Sequence, residues 1–405
     1  MNEKNEQIKV EDNIDFKKKN SIKEKLLNIF SNYSMIIILA FVLIIFQILT
    51  KGVLFRPLNV TNLILQNSHT IVLSIGMLLV VLLGHVDLSV GSVVAVVGAV
   101  ASIIMIKYHV NPILGVIISL AIGALIGAWN GFWIAYVGIP AFIVTIAGML
   151  LFRGITQILL QGTSIAGFPE SFQYISTGYL PNIGGSSMHI TSIIIALATI
   201  ILIVASLYNS RKVKIKNEME VGSFSLFILK CACLVIVLGV LTYLFASYEG
   251  FPFVLIIIVL LAGFYSFLTQ RMVTGRHIYA TGGSIKSAEL SGIKTKKITF
   301  LVFVNMGLLA ALAGLILASR LNAATPQAGV GLETDALSAV YFGGASTSGG
   351  IGTISGTIIG GLIMGILNNG MSIIGIGVDW QQGIRGLILL LAVVLDKYNQ
   401  KRKTN

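Results

Sequence analysis

Long stretches of this chain are apolar on every side of a helix, and that property restricts the fold more than any motif does. Such runs fall at 33–50, 69–84, 90–106, 113–137, 142–161, 190–207, 224–246, 253–268, 298–321, 356–367 and 384–395, with a further short one at 336–343. A bilayer's hydrocarbon core is about 30 Å thick, so a helix crosses it with about 20 apolar residues. Lipid offers no partner to a free backbone N–H or C=O, so spanning segments are helices or closed barrels. The runs do not alternate with the period of two that a barrel strand needs. Composition agrees: 55% of the 405 residues are hydrophobic and 11% charged, against roughly 25% charged in an average soluble domain. With the first 30 residues set aside as a polar tail holding 13 of the 44 charges, 31 charges remain for 375 residues, too few to cover a soluble surface. The expected class is an all-α polytopic membrane protein with about 10–12 transmembrane helices, some of them broken or short.

The formal net charge of +12 would suggest nucleic acid in a soluble protein, but the placement of the basic residues argues against that partner. Lys and Arg cluster at 4–25, 211–216, 271–297 and 397–403, which together hold 21 of the 28. Positive residues accumulate in short cytoplasmic loops and attract anionic lipid. Starting the tail on the cytoplasmic side, the crossings put 51–61, 162–189, Glu249 and 322–335 outside and the remaining basic clusters inside. The expected organisation is a cytoplasmic basic tail at 1–32, a transmembrane domain at 33–396 with a cytoplasmic segment at 271–298, and a cytoplasmic tail at 397–405, in a cytoplasmic membrane. Cys231 and Cys233 share one run two residues apart, face different ways on a helix and are expected to pack rather than bridge. The first apolar stretch follows a charged tail without a small-residue cleavage site, so it is expected to remain as an anchor.

Glycine, at 43 residues, is concentrated in and beside the runs: Gly123, Gly127 and Gly131 at four-residue spacing, then Gly352, Gly356, Gly360, Gly361 and Gly365. Small residues so spaced let helix backbones approach closely where no hydrophobic force drives association. Gly84-His-Val-Asp-Leu-Ser-Val-Gly91 is weakly echoed by Gly343-Gly-Ala-Ser-Thr-Ser-Gly-Gly350, either by coincidence or because the fold repeats.

Catalytic motifs do not stand out. Gly282-Gly-Ser-Ile-Lys-Ser287 lacks the spacing that wraps a phosphate; the five His show no metal spacing, and no Ser, His and acid set emerges. No cofactor and no metal is expected on this chain. Of the ionisable residues in or near the runs, Lys230 and Arg320 can reach the two surfaces, leaving Asp87, Arg153 and Arg385 at depth, where charges are costly. Asp87 lies in a seven-residue interruption that is either a tight turn, with Asp87 capping the next helix, or a broken helix lining a polar path. Asp87 and Ser89, Trp129 and Asn130, and Ser348 are the candidate lining residues. The 28-residue segment 271–298 far exceeds the roughly 2–8 residues that usually join helices in a bundle. Ser284 is placed to cap a short helix over 285–291 closed by Gly292. That helix either fits a partner's groove, with Ile278, Ala280, Ala288 and Leu290 offering apolar contacts among Lys and Glu, or forms a basic loop on the lipid surface.

At these residues the chain resembles a known family. Gly84–Gly91, Gly127-Ala-Trp-Asn-Gly-Phe-Trp133, Ile139-Pro-Ala-Phe-Ile-Val-Thr-Ile-Ala-Gly-Met149, Phe152-Arg-Gly154, 275–293, 343–350 and Asn368-Asn-Gly-Met371 are similar to the membrane permeases of bacterial ABC sugar importers. The similarity covers about residues 55–396 and leans toward the D-xylose and multiple-monosaccharide branch, with ribose permeases as relatives. His85 and Thr347 depart from that pattern. The resemblance implies a permease that pairs with a second copy of itself, receives a monosaccharide from an extracytoplasmic binding protein and is driven by a separate cytoplasmic ATPase holding ATP and Mg. It implies an ATPase-coupling role for Gly275, Ala280, Gly282, Gly283, Ser284, Ala288, Ser291 and Gly292. The competing expectation is a secondary sugar carrier that works without an ATPase.

Overall fold

The fold is described here from a computed structural model over residues 35–184, 188–219, 221 and 223–404; the expected tail at 1–32 lies outside the described residues. The apolar runs are helices. α1 (Met35–Leu49), α2 (Pro57–Leu82), α3 (Val90–Ser102), α4 (Pro112–Phe132) and α5 (Ala141–Leu160) form the first group. After a short surface helix, α6 (Glu170–Thr177), come the hairpin α7 (Ile190–Lys216) and α8 (Phe224–Ala246), then α9 (Phe253–Arg271). Two short helices, α10 (Val273–Gly283) and α11 (Ile285–Leu290), lead to α12 (Thr295–Leu321), α13 (Leu332–Phe342), α14 (Ile354–Ile373) and α15 (Val378–Thr404). Among the described residues nine helices are long and apolar enough to cross a membrane. The sheet there is one pair of two-residue strands, β1 (Ile165–Ala166) antiparallel to β2 (Ala323–Ala324).

Local chemistry sets the boundaries. Pro at the start of α2 and α4 costs no helical hydrogen bond, and the Asn111 side chain accepts from the Ile113 N–H to cap α4. α2 begins well before the apolar run at His69, because Thr61, Asn67 and Ser68 face the bundle interior and not lipid. Asn67 donates to the Leu63 carbonyl at 2.7 Å and Ser68 to Leu65 at 2.9 Å, so these polar groups are satisfied within their own helix.

α12 is the central helix, with α4, α2 and α3 packed along it. The glycines at four-residue spacing form the closest seam. A Cβ at Gly127 would stand 2.9 Å from the Cα of Val304, and one at Gly307 would stand 2.7 Å from the Cα of Gly127. No larger residue fits there without separating the helices. The second glycine series does the same for α13 and α14, where a Cβ on Gly343 would meet the Gly356 backbone at 2.6 Å.

The packing repeats with inverted direction. α4 lies along α12 as α14 lies along α2, α3 sits against α5 as α13 sits against α15, and α2 and α12 pack on each other. Gly76 faces Met306 and Leu309, Gly131 faces Phe300 and Gly123 faces Ala311, so α2 and α4 both run opposite to α12. Val94 lies against Gly314 and Ala318 against Gly98, so α3 runs with α12 and starts alongside its middle. α3, which continues through a π-helical turn to Lys107, and the short α13 are therefore both entered through non-helical chain that starts within the bundle, the arrangement found where inverted repeats meet within a membrane.

One end of the bundle gathers the cations: Arg211, Lys212, Lys214 and Lys216 at the close of α7, and Arg271, Arg276, Lys286, Lys294, Lys296 and Lys297 around α10 and α11. We call it the basic end. The stretch 336–343, too short to cross alone, crosses only half: α13 descends from mid-bundle and the loop 343–353 completes the traverse to the basic end, where Gly350 donates to the Leu82 carbonyl. This additional half-crossing lets α14 rise and α15 return toward the basic end. The α7–α8 hairpin stands apart, with Ser192, Ala196, Phe245 and Ala246 as its buried residues and Cys231 and Cys233 as free thiols.

Candidate functional site

Two places combine polar chemistry with irregular backbone: the meeting of the α3 and α13 starts in mid-bundle, and the segment 271–298 at the basic end.

At the first, α2 ends at Leu82 and the chain turns back into the bundle through 84–89 before α3 begins. Asp87 is 3% exposed and Ser89 fully buried. The Asp87 carboxylate accepts from the Ser89 N–H at 2.9 Å and from its hydroxyl at 2.6 Å. The Ser89 oxygen in turn accepts from the Asn130 amide at 2.9 Å. Ser92 donates to the Met149 carbonyl, and the Thr145 hydroxyl reaches the Val86 carbonyl at 3.4 Å. Asp87 does not cap the amides of α3; the helix starts at Ser89 without a side-chain cap. The two alternatives for this segment thus resolve geometrically to a buried break, held by α4 and α5, with Asp87 as its internal brace.

The structure brings together Asp87, Ser89 and Asn130 but not the other two lining candidates. Trp129 is 51% exposed on the outer face of α4, edge-on to Trp133 at 5.5 Å, because one residue along a helix turns the side chain by about 100°. Ser348 lies in the loop below the break, its N–H bonded to the Ser346 hydroxyl at 3.1 Å.

Facing the break is its inverted counterpart. The chain after α12 dips into the bundle and presents Gly329 to Gly91, so the N-termini of α13 and α3 abut; a Cβ on Gly91 would overlap the Gly329 carbonyl and the Glu333 carboxylate. Arg153 of α5 donates to the carbonyls of Pro326 at 3.1 Å and Ala328 at 2.7 Å. Arg385 of α15 pairs with Asp335 of α13 at 3.3 Å, and Asn368 of α14 donates to the same oxygen at 3.5 Å. Buried charges require such partners. Sequence reasoning isolated Arg153 and Arg385 as charges at depth but missed Glu333 and Asp335, and took Asn368 only as part of a stretch resembling the family. The signal was available in the acids of 333–335, just before a short apolar stretch. Farther from the basic end, Asn59 and Asn369 exchange amide hydrogen bonds at 3.0 and 3.1 Å, tying α2 to α14.

At the second place, Ser284 accepts from the Ser287 N–H at 3.2 Å and opens α11, and Gly292 follows it at φ +81°. Only glycine takes that conformation without strain. The hydroxyl of Thr295 donates to Glu289 at 2.8 Å and closes the segment against α12. α10 was not foreseen as a helix. The residues expected to couple to a partner divide by direction. Ala280, Gly283, Ser284, Ser291 and Gly292 are exposed, whereas Gly275 and Ala288 are buried and Gly282 faces the chain's own Leu82. Ala288, placed above in the partner contact, is 3% exposed and packs inward, so the contact is corrected to exclude it. Leu290 is 87% exposed beside that row, an apolar side chain at the tip of an otherwise polar projection.

Comparison with known proteins bears on both places. The profile of the family described as branched-chain amino acid transport system / permease component matches residues 59–212 and 232–393. The xylose transport system permease protein XylH of Haemophilus influenzae is 39% identical over 371 residues, covering 91% of this chain and 97% of that protein. XylH of Escherichia coli K12 is 36% identical over the same length, covering 91% and 92%. The ribose import permease protein RbsC of Escherichia coli K12 is 35% identical over 342 residues, covering 84% and 86%. No solved structure matches.

Proposed function

Because this chain belongs to the family of branched-chain amino acid transport system permease components, we propose that it is the membrane subunit of a bacterial ATP-driven importer carrying a monosaccharide, a xylose-like pentose or related sugar. In this reading it sits in the cytoplasmic membrane with the basic end and both termini in the cytosol. It pairs with a second copy, takes sugar from an extracytoplasmic binding protein and is moved by a separate ATPase that holds ATP and Mg. The observation that carries the reading is the projection α10–α11 at the basic end. It offers a capped, short helix with an exposed apolar tip at Leu290, built for a groove in another protein.

The chemistry asked of this subunit is conformational. A two-state path shifts only by the differential affinity of whatever binds its two states. The partner ATPase would supply that difference at α11, and the mid-bundle breaks would form the part of the path that changes shape. Irregular backbone at depth is tolerated where it is buried in protein or lines a polar cavity, and the break at 84–89 carries hydroxyl, amide and carboxylate groups suited to sugar hydroxyls.

The test is reconstitution of the chain with its partner ATPase and binding protein in vesicles, with labelled xylose outside. ATP-dependent accumulation is expected, together with loss of ATPase co-purification in Leu290→Asp while membrane insertion and thermal stability stay at wild-type values. Downhill sugar flux through the chain alone, indifferent to ATP and to that substitution, would establish the secondary carrier instead. Cysteine labelling at Ser284→Cys in intact cells checks orientation: reaction with an impermeant reagent would place the projection outside and overturn the reading.

A further inference from the structure

The coupling segment does not merely stand at the basic end. Its backbone touches both the chain entering the first break and the loop that joins α13 to α14. Gly282, near the close of α10, lies so near Leu82 that a Cβ would fall inside the Leu82 carbonyl oxygen, and that Cβ would stand 2.9 Å from the Gly350 nitrogen. The Gly350 N–H donates to the same Leu82 carbonyl at 2.9 Å. A Cβ on Gly349 would stand 2.9 Å from both the Gly282 oxygen and the Gly84 nitrogen, and one on Gly350 would stand 3.1 Å from the Gly283 Cα. Three glycine-bearing backbones therefore stack with no side chain between them. One turn earlier on α10, the Tyr279 hydroxyl donates to the Gly352 carbonyl at 2.6 Å.

The strands of this knot lead to different elements: one enters the first break, and the other connects the far end of α13 to α14. Leu82 to Gly84 continues directly into Asp87, Ser89 and the Asn130 bond. Gly349 to Gly352 joins the foot of α13 to the start of α14. Gly349 and Gly350 adopt φ of +82° and +70°, a conformation that lets two backbones turn toward a third without a Cβ in the way. Side chains at such a junction would absorb a push by changing rotamer, whereas packed backbone passes displacement on, since packed elements are bistable rather than continuously deformable.

We infer that Tyr279 and Gly282 are positioning residues that transmit movement of the coupling helix to the first break and to the α13–α14 connection together, through the Leu82, Gly282 and Gly350 backbone knot. This rests on the importer reading and deepens it. The first break and the α13–α14 connection shift in concert because one short helix grips both. The role differs from that of the exposed row on α10 and α11: the row would meet the ATPase, and the knot would pass on what the ATPase does.

The test measures sugar accumulated and ATP hydrolysed in the same vesicles holding permease, ATPase and binding protein. Tyr279→Phe keeps the ring and removes one hydrogen bond; it is expected to leave ATP hydrolysis intact and to lower sugar moved per ATP by about fivefold. Gly282→Ala forces the knot apart and is expected to lower the ratio by more than about tenfold. A structural defect alone would reduce uptake and hydrolysis in proportion and leave sugar per ATP at its wild-type value, and that result overturns the inference. So does a wild-type ratio in Tyr279→Phe with full activity, which also covers the case in which Gly282→Ala fails to fold. If wild-type uptake needs no ATPase, the importer reading itself fails, an outcome distinct from coupled wild type with equally coupled variants.

Discussion

The two breaks occupy corresponding places in the inverted halves, yet they are held by different forces. The first, at 84–89, is braced by neutral and carboxylate hydrogen bonds among Asp87, Ser89 and Asn130, and by bonds to the backbone of α5. The second, ahead of α13, is pinned by two arginines: Arg153 on its carbonyls and Arg385 on Asp335. Short hydroxyl and amide bonds can exchange for water or a sugar hydroxyl at little net change, because a hydroxyl both donates and accepts. A desolvated ion pair cannot release its partner without leaving a charge uncompensated. The difference teaches that the first break is the one suited to rearrange and the second is the one suited to move as a rigid piece with α5 and α15.

That contrast is open to direct attack. The largest effect is expected from Arg385→Met, which strands Asp335 in the interior and should cost about 3–5 kcal/mol of stability, read as thermal unfolding in detergent. Adding Asp335→Leu should restore most of it, since both charges are then gone. Wild-type melting of the single variant would erase the distinction between the two breaks. Next is Gly91→Ala, which pushes the abutting helix starts apart; overpacking of this kind typically costs about 1–3 kcal/mol. Ser89→Ala should cost about 1–3 kcal/mol by leaving Asn130 and Asp87 short of a partner, and it should impair transport more than its stability loss predicts if the first break rearranges. Arg153→Lys retains the charge but not the planar fork and should cost least, about 1 kcal/mol; a loss greater than that of Arg385→Met would make the second break more dependent on Arg153 than on Arg385.

Much of this was legible in one dimension. The class followed from run length, and the capped helix after Ser284 formed with Gly292 as its stop. Each of these depends on residues within a few turns of one another. The four-residue glycine spacing correctly marked close packing on α4, though not its partner α12. Where reading stopped was direction around a helix. Trp129 and Asn130 are neighbours in the chain and face opposite environments, and Ala288 turns inward while Leu290 turns out. In a fully apolar helix no hydrophobic face announces which side is interior, so the sequence pattern lost its compass in the segments that matter most.

The sequence by itself determined that this chain lies in a membrane as helices and that a polar helical projection stands between α9 and α12. Those properties are sums over local residues, and the bilayer reads them segment by segment. Only the tertiary structure decided that α3 and α13 start within the bundle and meet at Gly91 and Gly329, that Arg153 reaches a carbonyl 175 residues away, and that Gly282 packs against the Leu82–Gly350 hydrogen bond. Such pairings depend on backbone approach distances between distant segments, and glycine records only that an approach is permitted, never which segment makes it.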